Sequence, residues 1–192
     1  MAPVPCRIAA LFAAALLTGS CSSGGSPRDA SIDSILHKLD AVSSTSFTAT
    51  YRLTRKLGNV TAEARVTQRP PRVAIVIGNV KFLDGDVQRT CDRTTGRCEP
   101  GILAQRVSDV SAGIGFYGPT AATQIRVASN SWFGTTGSRA IAGQAASCVS
   151  VGDGTYCVLA SGVVALIDRP DVRVELTSYV GNADSALLAN HA

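Results

Sequence analysis

Four cysteines in the body of the chain are the residues whose type and spacing point most directly to chemistry. Cys91 and Cys98 flank a polar, glycine-containing loop. Cys148 and Cys157 flank a second turn at Gly152–Gly154. Thiolate metal sites usually need four ligands, and no histidine or third cysteine lies near the first pair in sequence. Two short disulfides are the better interpretation for an exported protein, although four cysteines allow three connectivities.

Cys21 is a candidate for covalent attachment of a lipid. The ten-residue apolar run Ile8–Leu17 has the length of a signal-peptide core, and small residues separate it from Cys21. The stretch resembles a bacterial lipobox, in which an apolar residue lies three positions before the cysteine; here Thr18 holds that position. We therefore predict a signal peptide over residues 1–20 and lipidation of Cys21. The alternative is ordinary secretory cleavage, which would leave a soluble exported protein with a free Cys21.

The sequence has few residues in arrangements typical of catalysis, and we therefore predict that the protein is not an enzyme. His37 lies on a predicted helix and His191 next to the end of the sequence, and neither falls in a motif with a nucleophile. No G-x-S-x-G elbow, S-x-x-K or HExxH is present. Gly113–Gly118 matches GxGxxG, but it lacks the preceding strand and the later acidic residue of a dinucleotide site. We expect no catalytic residue, no metal and no cofactor.

Size indicates a single domain, and charge argues against a nucleic-acid-binding protein. Without Arg7 of the leader, 17 basic and 14 acidic residues remain, and this net charge of +3 is small and dispersed. The 172 residues after position 20 suffice for one core. No apolar run after residue 21 approaches the roughly 18–20 residues of a spanning helix. We predict a lipidated cysteine and linker over 21–30, and one domain over 31–192, as a monomer.

Hydrophobic periodicity predicts a helix followed by hairpins. Ser31–Ser43 has apolar residues at helical spacing, whereas strict alternation and tight turns predict antiparallel strands. The predicted strands are Phe47–Leu57, Val60–Arg69, Arg72–Ile77, Val80–Asp84, Val87–Cys91, Ala140–Val151, Thr155–Ala160, Val163–Asp168 and Val172–Val180. Helical spacing returns in two central segments, one including Ile102 and Val110 and one starting at Pro119. The tail after Val180 is predicted to be a short helix or frayed.

These elements predict an α+β fold, in which a curved antiparallel sheet of about 9–11 strands is covered on its concave face by three helical segments. Incomplete filling would leave an apolar cavity between sheet and helices, where a ligand could bind. The residues predicted to line that cavity are Phe47, Tyr51, Leu53, Val73, Ile75 and Phe82 in its walls, with Phe116 or Trp132 near its mouth.

The order of elements also resembles a known group. The lipobox, the first helix, the hairpin series FTATYRL, TAEARVTQRPPRVAIVIG and VKFLDGD, the central helices and the final hairpins are similar to the LolA-like lipoprotein-carrier superfamily. The closer likeness is to its Gram-positive lipoproteins of the LppX and LprG type. This resemblance, over about residues 31–180, implies an unclosed β-barrel wrapped over helices with lipid acyl chains in its cavity. The two short disulfides are not a general feature of the superfamily.

Two functions follow as expectations. The first is a protein anchored by its N-terminal lipid to the extracytoplasmic face of the cell membrane, which binds or carries a lipid or lipoglycan. The second is a structural or protein-interaction envelope lipoprotein whose helices fill the sheet completely. The void volume under the sheet separates the two.

Overall fold

Eleven strands and two helices make up the part of the chain that the computed structural model describes, residues 30–108, 115–116, 118–129 and 134–189. The helices are α1 (Ala30–Ala41) and α2 (Pro119–Ser129), with 3-10 turns at Val42–Ser44 and Ala104–Val107. The strands are β1 (Phe47–Arg55), β2 (Val60–Arg69), β3 (Arg72–Ile77), β4 (Val80–Asp84), β5 (Arg89–Asp92), β6 (Cys98–Pro100), β7 (Thr135–Ile141), β8 (Gln144–Val151), β9 (Gly154–Leu159), β10 (Val164–Asp168) and β11 (Val172–Val180).

The strands form one antiparallel sheet in which the first and last strands lie side by side. Its order is β6-β5-β4-β3-β2-β1-β11-β10-β9-β8-β7, so each half is a meander and the halves join where β1 pairs with β11. The sheet does not close, because β6 and β7 form its two edges. The connection that carries α2 therefore runs from one edge to the other. The predicted α+β class with a large, unclosed antiparallel sheet is confirmed.

The main core lies between α1, α2 and one face of the sheet, which we call the inner face. Along β1, alternate residues from Phe47 to Leu53 are buried there. The apolar stripe of α1, from Ile32 to Leu39, packs against them. Burial of this apolar surface is the main driving force that holds the helices on the sheet.

Gly162 allows the β9–β10 turn to approach the last turn of α1. Its φ is +82°, and a Cβ at this position would overlap the carbonyl oxygen of Lys38. Only glycine satisfies both the left-handed backbone and the missing side-chain volume.

The opposite, outer face of the sheet is covered in part by the C-terminal segment. Residues 181–189 form turns, so the predicted short helix or frayed end is corrected for this stretch. The backbone N–H of Asp184 donates to the Thr48 hydroxyl at 2.9 Å, and Lys81 Nζ donates to the carbonyl of Ala189 at 3.0 Å. These bonds hold the segment against the sheet. Burial, with the nearby charge of Arg93, lowers the pKa of the Lys81 ammonium.

The region Ala140–Val151, predicted as one strand, is divided between β7 and β8. The chain turns at Ala142 and Gly143, whose φ values are +50° and +72°. Two successive left-handed residues make the tight turn of a hairpin. This turn could not be recognised from the sequence, because alanine rarely adopts a left-handed backbone conformation.

The first predicted central helix is shorter than expected. Its described part is a 3-10 turn at Ala104–Val107, and Val110 lies outside the described residues. The other central helix is confirmed as α2.

Candidate functional site

Most of the residues predicted to line a cavity lie in the inner-face core. The buried ones are Phe47, Tyr51, Leu53, Ile75, Phe82 and Phe116, and Val73 is partly buried against the same cluster. Trp132 lies outside the described residues, as do Cys21 and His191, whereas His37 is exposed. The structure thus brings the predicted residues together as a packed core. Their role as ligand contacts stays a prediction.

Both predicted disulfides are present. Cys91–Cys98 joins β5 to β6, and Cys148–Cys157 joins β8 to β9. Each connects directly opposed residues of adjacent antiparallel strands. The short-range pairing is therefore confirmed over the two other connectivities.

A pocket of about 150 Å³, which we call the helix–sheet pocket, lies between α2 and the β10–β11 hairpin. Its apolar side is formed by Phe116, Ile167, Val172 and Val174, and its polar side by Thr120, Gln124, Arg169 and Asp171, with Gly115 beside them. Typical small-molecule sites measure roughly 300–1,000 Å³. A ligand large enough to fill such a site would therefore insert only part of itself into the space that these residues enclose.

Helical spacing and a tight turn position the polar side of the pocket. Thr120 and Gln124 lie four residues apart and hence on one face of α2, while Ile125 is buried in the core. Across from them, the turn between β10 and β11 closes through a 2.9 Å bond from the Arg169 N–H to the Val172 carbonyl. This turn places the Arg169 side chain beside the apolar ends of the two strands.

Two polar atoms at the pocket are buried without a hydrogen-bond partner in the described structure, Gln124 Oε1 and Arg169 Nε. Asp171 Oδ1 lies 3.5 Å from Arg169 Nε, an ion pair without hydrogen-bond geometry. The neighbouring carboxylate of Asp168 is already engaged by Lys56 at 2.7 Å and by Arg173 at 3.1 Å. Arg169 therefore places a positive charge at the pocket, and its Nε makes no hydrogen bond with the described residues.

The positive charge of Arg169 also reaches Tyr156 on β9. Burial raises the pKa of the Tyr156 hydroxyl, and Arg169 opposes that rise. The adjacent glycine, Gly154, leaves room for the ring, because a Cβ there would lie 2.9 Å from a Tyr156 ring carbon.

Tyr51 connects the pocket wall to the deeper core. Its ring meets that of Phe116 edge to face, with centroids 5.3 Å apart. The Tyr51 hydroxyl is buried and has no hydrogen-bond partner among the described residues. Burial raises the pKa of this hydroxyl far above its ordinary value, and Tyr179 adds to the rise.

Two further depressions lie elsewhere. An open groove of about 500 Å³ runs between α1 and the β7–β8 hairpin, with Ser34, Ile35 and Thr136 among its lining. A pocket of about 160 Å³ at the β4–β5 turn includes Val73, with Arg72 and Asp84. Among the described residues that line these two depressions, none has a buried polar atom without a hydrogen-bond partner, whereas Gln124 and Arg169 each have one, so the helix–sheet pocket is the better candidate site.

The described part of the chain holds no group of three or more His, Cys, Asp or Glu side chains arranged to bind a metal ion. Within those same residues, neither helix has the length and hydropathy needed to cross a bilayer.

Sequence reasoning did not find the polar side of the pocket. Gln124, Arg169 and Asp171 were not among the predicted site residues. The signal that could have identified Arg169 is its place in sequence directly after an apolar strand and before the alternating strand that begins at Val172. Gln124 carried no comparable signal.

Comparison with solved structures finds proteins of similar fold. The crystal structure of MucB matches with a TM-score of 0.59 at 14% identity, over 84% of this chain and 64% of MucB. The MucA/MucB complex of Pseudomonas aeruginosa matches with a TM-score of 0.56 at 14% identity, over 84% and 62%. LprF from Mycobacterium bovis matches with a TM-score of 0.42 at 14% identity, over 82% and 96%.

The matched chain spans about 64% of the length of MucB, and identity this low shows the fold alone. No family model matches the sequence, and no curated protein matches it significantly.

Proposed function

We propose that this protein is an exported lipoprotein of the LppX and LprG type, anchored through Cys21, that binds an amphiphilic lipid or lipoglycan with its helix–sheet pocket. The observation that carries the proposal is the position and lining of that pocket. It lies between α2 and the inner face, and apolar side chains of β10 and β11 form one side of it. Such a surface suits an acyl chain, because the chain leaves water as it enters.

The small volume of the helix–sheet pocket limits how much of a lipid could enter it. About 150 Å³ accommodates one end of a lipid rather than the whole molecule. A carrier of this kind holds its ligand by the part nearest the pocket and leaves the remainder against neighbouring surfaces.

Export and anchoring rest on separate observations. Two disulfides join adjacent strands, and such bonds persist in oxidising compartments outside the cytoplasm. Residues 17–21 resemble a lipobox. Replacement of Cys21 by Ser is expected to abolish an N-terminal lipid in mass spectra and to move the protein from the membrane fraction into the soluble one. Unchanged membrane association would refute lipidation at Cys21.

Binding is tested by native mass spectrometry of gently purified protein. Wild type is expected to retain a lipid mass. Thr120→Trp, at an exposed helix position on the pocket rim, should reduce lipid occupancy by blocking the entrance. Val127→Trp is the matched control, because Val127 is 66% exposed on the same helix and does not line the pocket. A lipid-free wild type, or equal occupancy in both variants, would contradict the proposal.

The second candidate is a protein-interaction module. It is favoured by the small pocket and by the solved complex of MucB, a protein of similar fold, with MucA. This function predicts purification without lipid and with a protein partner. The same mass spectra therefore separate the two functions, since the bound mass is either that of a lipid or that of a polypeptide.

A further inference from the structure

The unpartnered polar atoms of the helix–sheet pocket indicate which chemical groups its ligand must supply. Arg169 Nε and Gln124 Oε1 are both buried, both lack a hydrogen-bond partner in the described residues, and both belong to side chains that line the same space. Native proteins leave few such atoms unsatisfied, and those that remain call for an explanation. A ligand that supplies the missing partners provides one.

The two atoms require complementary chemistry. Arg169 Nε carries a hydrogen and needs an acceptor, and a guanidinium binds anionic oxygens of phosphate or carboxylate most strongly. Gln124 presents an amide, whose oxygen accepts and whose nitrogen donates. A hydroxyl satisfies it in either orientation, because a hydroxyl both donates and accepts. The pocket is thus matched to an anionic oxygen with a hydroxyl nearby.

The arrangement of charge leaves Arg169 available for this role. Its contact with Asp171 is 3.5 Å long, and the Asp171 side chain is 61% exposed, so water screens the pair. Lys56 and Arg173 are committed to Asp168. An anionic group entering the pocket would therefore meet the Arg169 guanidinium and compete for it only with the exposed carboxylate of Asp171 among the described lining residues.

The apolar side of the pocket identifies the rest of the molecule. Val172, Val174 and Ile167 face the space next to Arg169. A ligand that contacts both sides must be polar at one end and hydrocarbon beside it. We propose that Arg169 and Gln124 select an amphiphile whose phosphate bears a hydroxylated substituent, such as a phosphoglycerol headgroup. This inference rests on the proposed lipid-binding function and names its ligand class.

The test compares single-chain lipids that differ only in the headgroup. Binding of palmitoyl-lysophosphatidylglycerol and of monopalmitoylglycerol, which has hydroxyl groups but no phosphate, to the purified protein is measured below their critical micelle concentrations by intrinsic fluorescence or calorimetry. Wild type is expected to bind the phosphatidylglycerol analogue about tenfold more tightly, since charge-assisted hydrogen bonds are about twice as strong as neutral ones.

Arg169→Gln should remove this preference by weakening binding of the anionic lipid about tenfold while leaving binding of the phosphate-free lipid unchanged. Gln124→Leu should weaken the anionic lipid several-fold in the same assay. Arg173→Gln is the matched control for bulk charge, because Arg173 is also at the β10–β11 hairpin but outside the pocket lining. It should bind both lipids like wild type.

The outcomes are distinct. Equal affinity of wild type for the two lipids overturns the headgroup proposal and leaves lipid binding intact, whereas binding of neither lipid overturns both. An equal loss in Arg169→Gln and Arg173→Gln shows a nonspecific charge effect and contradicts the assigned role. Competition by free glycerol 3-phosphate as strong as that by the lipid means a small-anion site, which also refutes the amphiphile.

Discussion

The unpartnered hydroxyl of Tyr51 provides a quantitative test of the inner-face core. The Tyr51 side chain is fully buried, and its hydroxyl has no hydrogen-bond partner in the described residues. A buried, unsatisfied polar group costs about 1–3 kcal/mol, because it has lost its bonds to water without replacement. Tyr51→Phe removes the hydroxyl and keeps the ring that packs on Phe116. We expect this change to stabilise the fold by about 1 kcal/mol or more.

The measurement is chemical denaturation followed by circular dichroism, supported by thermal melts. For a domain of this size, 1 kcal/mol corresponds to about 2–4 °C in Tm. Tyr179→Phe is the matched control, because Tyr179 is only partly buried and its hydroxyl is not among the unpartnered buried atoms. That change should alter the free energy of unfolding by less than about 0.5 kcal/mol.

The pH dependence gives a second readout of the same group. Burial raises the Tyr51 pKa in the folded state above its ordinary value near 10. Below about pH 10 both states keep the proton, so the contribution to stability is constant there. Above it only the unfolded state ionises, and stability falls by about 1.4 kcal/mol per pH unit. The stability advantage of Tyr51→Phe should therefore widen by that amount per unit above pH 10.

A loss of stability in Tyr51→Phe would refute this reasoning, because it would mean that the hydroxyl makes a favourable hydrogen bond in the folded protein. An unchanged slope above pH 10 would equally contradict burial of the hydroxyl in an environment that keeps it neutral.

Three other variants test the frame that positions the pocket. Gly162→Ala should destabilise the fold by at least about 2 kcal/mol, since it adds a clash with the Lys38 carbonyl to the cost of a left-handed backbone. Gly143→Ala, with φ +72° and open space, should cost only about 1–2 kcal/mol; equal losses in denaturant melts would argue against the clash. Replacing Cys148 and Cys157 together by Ser should cost about 2–3 kcal/mol through the nine-residue loop, and unchanged stability would refute the cross-link's contribution.

Local rules of chain geometry explain why much of the fold could be predicted. The bounds of the predicted strands Val60–Arg69, Arg72–Ile77 and Val172–Val180 coincide with those of β2, β3 and β11. Alternation has a period of two residues, and a half-buried strand displays that period directly. Turn residues then fix antiparallel neighbours, and the two cysteine pairs follow because each brackets one such turn.

The turn at Ala142 shows where this reasoning fails. Its left-handed backbone is stabilised by the pairing of β7 with β8 rather than by its own preference. Contacts between the two strands outweigh the backbone preference of alanine at this position, and no local sequence pattern indicates the turn.

Three-dimensional packing alone decided the candidate site. Gln124 belongs to a helix and Arg169 to a turn 45 positions further along the sequence, and only the docking of α2 on β10 and β11 brings them to one pocket. The sequence by itself determined most of the strands, the two local cysteine pairs and the apolar inner face, because each depends on neighbours in the chain. Which polar atoms remain unpartnered beside that face depends on how the helices fill it. That is a matter of volume and contact between distant segments, and only the tertiary structure decides it.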